Sequence, residues 1–140
     1  LAIEKSRGPY KVSRLAADAA AAALLDEDGW MADTVAECLV NRARLSDELS
    51  TRGLRPLESR ANFVLFAAPS GSASDDALAL RERGIAVRPF TGIEAIGEGL
   101  RVTVGPWPLM EHFLDVLDET PWADADEEAN AADSPPGRAS

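Results

Sequence analysis

At 140 residues with 46% hydrophobic side chains, the chain has room for one compact domain with a core. A net charge of -10, from 24 acidic against 14 basic residues, excludes the basic face that phosphate-backbone contacts need, so nucleic acid is not an expected partner. One cysteine, Cys38, and one histidine, His112, leave neither an internal disulfide nor a zinc-ligand cluster. No apolar run approaches the roughly 20 residues of a membrane span, and no basic stretch followed by an apolar segment opens the sequence. A cytoplasmic protein without a membrane partner is the expectation. The first residue is Leu1 rather than Met, in sequence that reads as mid-protein, so a longer polypeptide is expected upstream.

In chain order, Ser13 can cap a helix over residues 14–25, whose alanines carry high helix propensity and a thin, close-packing face. After a break at 26–29, Met31, Val35, Leu39, Arg42, Leu45 and Leu49 recur every three or four residues. This stripe predicts a second helix of about six turns, ended near Gly53 and Pro56. NFVLF at 62–66 is aromatic and β-branched, predicts a buried strand, and is closed by Pro69-Ser70-Gly71-Ser72. Residues 75–83 predict a short helix through Leu78 and Leu80, stopped by Gly84, and IAVR at 85–88 a second strand. A glycine-bearing stretch at 91–99 leads to a third strand, LRVTVG at 100–105. Gly105-Pro106 then opens a last helix with Leu109, Phe113, Val116 and Leu117 as its apolar stripe. The order α-α-β-α-β-β-α predicts an α/β fold of the α+β type: a two-layer sandwich in which helices cover one side of a sheet of about three strands. The acidic, alanine-rich end, with its Pro-Pro pair, has little to bury and is expected to be disordered.

Strand alternation sends Leu100, Val102 and Val104 to the core and Arg101 and Thr103 to the other face. It likewise separates Ile85 and Val87 from Ala86 and Arg88. If these consecutive strands pair, Arg88 and Arg101 emerge on one side and form the beginnings of an anion site. A guanidinium fork suits carboxylate or phosphate because it gives two parallel charge-assisted hydrogen bonds. The plainer reading makes both arginines surface residues in weak ion pairs. His112 falls off the last helix's stripe and reads as exposed, and Cys38 reads as packing. Lys5 and Lys11, the only lysines, flank Gly8-Pro9-Tyr10 and look like exposed residues near a hinge. Asp115, Asp118 and Glu119 read as a solvated helix end. No Gly-rich phosphate loop, nucleophile elbow or metal motif is present.

Four stretches, KSRGPYKVS at 5–13, ANFVLF at 61–66, RGIAVRPF at 83–90 and LRVTVGPWPLMEHFLDVL at 100–117, resemble the C-terminal part of histidinol-phosphate aminotransferases among the fold-type I pyridoxal-phosphate enzymes. The resemblance covers about residues 4–119. It implies a hinge at 1–12 leaving a large cofactor domain, a small domain at 13–120 and an unrelated tail at 121–140. It implies that Arg101 binds the substrate's acidic group, that Arg88 helps hold the phosphate, and that Asn62 lies near the active-site mouth. Lys11 stands where the family usually has asparagine. The lysine that carries the pyridoxal 5'-phosphate, and the other cofactor-binding residues, would belong to the upstream domain. This chain would then hold no catalytic residue and be inactive alone. The partners implied are an amino donor bearing phosphate or carboxylate, 2-oxoglutarate or glutamate, and a second subunit in a homodimer. Another amino-acid aminotransferase, a related phosphate-substrate decarboxylase, or a non-catalytic anion-binding α/β module are the competing readings.

Overall fold

The computed structural model describes residues 12–25 and 28–122. The expected hinge up to Lys11, with Lys5, and all of the acidic tail beyond Trp122, lie outside them. Contacts divide the chain into two compact units, 1–37 and 38–140.

In the first unit, α1 (Arg14–Leu24) starts at Ser13, whose Oγ accepts the Ala16 N–H at 3.1 Å. None of its residues is buried, so the close-packing alanine face foreseen for this helix is not used within the unit. α2 (Trp30–Thr51) begins here and continues into the second unit.

The second unit adds β1 (Phe63–Ala67), α3 (Ala73–Glu82), β2 (Arg88–Ile93), β3 (Gly97–Thr103) and α4 (Trp107–Glu119). The element order matches the expectation. The three strands form an antiparallel sheet in the order β1-β3-β2, with β3 in the centre. One face is covered: Val64, Phe66, Leu100 and Val102 pack with Leu45 and Leu49 of α2, Leu80 of α3, and Met110, Phe113, Leu114 and Leu117 of α4. Phe66 and Phe113 meet edge to face, with ring centroids 6.3 Å apart. Each such side chain stabilises the fold by about 1.5–3 kcal/mol through its burial. Cys38 also packs against this core, as expected.

Three further expectations about the elements need correction. The second strand is Arg88–Ile93, not 85–88. The strand runs on through Pro89 and Gly92 because β2 is an edge strand, where proline is tolerated since one row of N–H groups has no partner. Ile85 and Val87 keep the expected alternation, half-buried against the core, without joining the sheet. The stripe of α2 is buried only at Leu45 and Leu49, while Met31, Val35 and Leu39 stay exposed. On α4, Leu109 is 61% exposed and Met110 takes its place in the core.

Polar contacts fix the layers to one another. Asn41, buried on α2, donates Nδ2–H to the Gly105 carbonyl at 3.0 Å, and Arg42 donates to the Ala61 carbonyl at 2.9 Å. Arg44 stacks on the Trp107 ring, 3.6 Å from its centroid. Arg52 forks onto Asp118 at 2.8 and 2.9 Å and also reaches Glu48 at 2.7 Å. Asp118 is therefore an anchor between α2 and α4 rather than part of a merely solvated end. At the start of α3, buried Asp76 accepts the Ser70 N–H at 3.1 Å. Burial raises its carboxyl pKa above the usual range, the Ser70 hydrogen bonds oppose that shift, and Asp75 adds to it.

Candidate functional site

The uncovered face of the sheet carries what alternation leaves over. Leu100 and Val102 enter the core, so Arg101 and Thr103 project away from it. Across the β2–β3 pair, Arg88 lies directly opposite Arg101 and Phe90 opposite Gly99. On the other flank, Leu65 of β1 lies opposite Arg101 and Phe63 opposite Thr103. Alternation placed the two arginines on one side, and the register makes them immediate neighbours.

Like charges directly opposed in a sheet are destabilising, and among the described residues no carboxylate pairs with either arginine. The arginines that form ion pairs among the described residues are Arg14, Arg52 and Arg60. Aromatic rings take the carboxylates' place. The Arg101 guanidinium carbon is 5.0 Å from the Phe63 ring centroid and 5.7 Å from that of Phe90, and Arg88 is 5.2 Å from Phe90. Such contacts hold a cation through the ring face. They leave its N–H edges available, so both forks can still take an anion.

Gly99 bounds this face at the hairpin end. A Cβ there would fall 2.9 Å from Cδ1 of both Ile93 and Ile96 and 3.0 Å from the Phe66 carbonyl oxygen, so a larger residue would have to push the two isoleucine ends aside. At the other end the sheet opens into a cleft of about 510 Å³. Arg88 and Arg101 line it together with Thr103 and, from α4, Leu109 and His112. Asn62 is not brought into it. That residue is exposed at the entrance to β1, where its carbonyl accepts the Val104 N–H at 2.8 Å.

His112 is exposed, as expected, but it faces the arginines' cleft, which the sequence reading did not foresee. A signal for it exists. Leu109 and His112 are three residues apart on a helix, and such residues share a face. Among the described residues, no group of His, Cys, Asp or Glu could hold a metal ion, and no helix is long and apolar enough to cross a membrane.

Residues 2–117 match the model of the aminotransferase class I and II family. The chain belongs to that family. A histidinol-phosphate aminotransferase 2 of Gluconobacter oxydans is 38% identical to this aminotransferase-family chain over 115 residues, 82% of the chain and 32% of the relative. An aromatic amino acid aminotransferase of Streptomyces coelicolor is 37% identical over 118 residues, 84% of the chain and 31% of the relative. The crystal structure of a putative aminotransferase from Burkholderia pseudomallei superposes with a TM-score of 0.61 at 28% identity, covering 84% of this chain and 35% of that one. The chain thus spans about a third of the length of the relatives it matches.

Proposed function

We propose that this chain is the substrate-gripping small domain of a pyridoxal-phosphate-dependent aminotransferase acting on histidinol phosphate, with Arg88 and Arg101 holding the substrate's acidic group. The observation that carries the reading is the pair of directly opposed arginines bedded on Phe63 and Phe90 without a carboxylate partner among the described residues. Asn62 belongs at the edge of the site rather than in its anion grip. On this reading the small domain spans residues 13–120 and follows a hinge at 1–12. The complete enzyme is a cytoplasmic homodimer that passes the amino group to 2-oxoglutarate.

The cofactor, where bound, supplies an electron sink for breaking bonds at the amino-bearing carbon. The described residues do not fit its attachment, since they include no lysine, so no step is assigned to them there. Their own contribution is orientation. Two forks on a remote anion fix the rest of the substrate in space, and such positioning can supply several kcal/mol of rate enhancement.

Titration of the 140-residue chain with a phosphate monoester tests the grip. Binding should weaken at least tenfold in Arg101→Ala, and Arg101→Lys should fail to restore it, because an ammonium lacks the fork. Equal binding by all three proteins removes the proposal. The substrate is tested by donor profiling of the enzyme encoded by the complete reading frame. A second reading, an aromatic amino acid as donor, is favoured by the Streptomyces coelicolor relative and by the two phenylalanines beside the arginines. Activity with aromatic donors and none with histidinol phosphate would decide for it.

A further inference from the structure

The uncovered face of the sheet is a local exception in an acidic chain. The sequence holds 24 acidic against 14 basic residues. Yet the strand residues of that face, Phe63 and Leu65 of β1, Arg88 and Phe90 of β2, and Arg101 and Thr103 of β3, include no carboxylate. The two guanidiniums are directly opposed, and no ion pair among the described residues relieves their repulsion. Phe63 and Phe90 hold them through their ring faces and leave the N–H edges available. A carboxylate arriving there gains charge-assisted hydrogen bonds and also removes the like-charge cost.

The chain carries such carboxylates in a stretch that the family match does not reach. That match ends at residue 117, and beyond Trp122 come Asp124, Asp126, Glu127, Glu128 and Asp133, with Arg138 the only cation. The place where this stretch begins also favours the open face. Trp122 packs against the core and lines a cavity with Leu54 and Pro69. Leu54 leads into the segment on the outer edge of β1, where Pro56 bridges to Phe66, the Leu57 N–H bonds to the Leu65 carbonyl and the Ala67 N–H to the Arg55 carbonyl. The stretch therefore starts at the β1 edge of the sheet, and the open face lies around that edge. Exposed Arg55, in the same edge segment, forms no ion pair among the described residues. From β1 to β2 is about 10 Å across the sheet, whereas residues 123–133 reach about 35 Å when extended.

We propose that the acidic stretch 123–133 docks on the open sheet face and sets a carboxylate on the Arg88–Arg101 pair, so that a free anion must displace it. The proposal rests on the arginine grip described above and adds to it a competitor carried by the same chain. A tethered group meets its site at an effective concentration on the order of millimolar. The stretch then keeps the pair neutralised when no anion is held and sets the anion concentration at which the grip fills.

The test compares the parent 140-residue chain with a variant carrying Asp124→Asn, Asp126→Asn, Glu127→Gln, Glu128→Gln and Asp133→Asn, which leaves every described residue unchanged. Inorganic phosphate is the probe. The variant should bind it about fivefold more tightly than the parent, the gain expected on removing a tethered competitor at millimolar effective concentration. Without phosphate, the backbone amide resonances of residues 124–128 should move when Arg101→Ala is made in the parent. Equal phosphate affinity in parent and variant overturns the proposal. So does a gain without those amide shifts, which would reflect only the lost negative charge, and so does a gain that vanishes on tenfold dilution of the protein, which would place the stretch on a second copy. In each of these cases the grip stands so long as Arg101→Ala weakens phosphate binding. If neither protein binds phosphate, the grip itself fails and this inference goes with it.

Discussion

On the helix-covered face of the sheet, Val64, Phe66, Leu100 and Val102 are all at or below 6% exposure. On the opposite face, Phe63, Phe90 and Arg101 are half-buried and Arg88 is exposed. The two sets alternate along the same strands, so a shift of one position separates a residue that holds the fold from one free to meet a ligand. If the open face holds the proposed anion site, stability and binding should respond to different residues, provided a substitution respects the alternation.

The largest expected effect tests the covered face. Phe66→Ala removes a fully buried ring and its contact with Phe113, and should cost about 3–5 kcal/mol in urea denaturation. Phe63→Ala, three positions earlier on the open face, should cost well under half of that. Similar losses would mean that the faces are wrongly assigned. Next is Arg101→Ala, expected to lower phosphate-ester affinity by about 1.5–3 kcal/mol while moving stability by no more than about 0.5 kcal/mol in either direction. A large fall in melting temperature would make Arg101 a structural residue and blur the contrast.

Smaller effects should lie in the covered layer. Arg52→Ala breaks the fork to Asp118, a pair partly open to solvent, and should cost about 1 kcal/mol. Restoring charge with Arg52→Lys should recover only part of that loss. The smallest concerns Asp76. Its folded-state pKa is raised by burial, so the stability contributed by its protonated form is present at acid pH and lost as pH rises through the folded-state value. Asp76→Asn should remove this slope, and its melting temperature should gain on the parent's as pH rises above the ordinary carboxylate range, about 4. Parallel melting curves across that rise would show that Asp76 is not titrating in the folded chain.

Much of this architecture is written in local patterns. NFVLF, the 75–83 segment and LRVTVG fell within three residues of the observed elements because period, caps and breakers agreed there. IAVR was misplaced because a free sheet edge relaxes the rules that Pro89 and Gly92 invoke. The stripe of α2 marks apolar residues but not which of them are buried, and of these only Leu45 and Leu49 are. For the site, the shared side of Arg88 and Arg101 followed from alternation. Their direct opposition needed a register, which depends on the hairpin irregularity between Phe90 and Ile93. His112 required knowing which helix face looks onto the departing 84–87 segment, a long-range fact that no local pattern carries.

The amide of Asn41 gives the domain a lever. It reaches across 64 positions of sequence to the Gly105 carbonyl, and the neighbouring Val104 N–H bonds to the Asn62 carbonyl. A helix outside the open face thereby holds the strand ends that aim it. A change at Asn41 would therefore act on the ends of β1 and β3 without altering any residue of the open face.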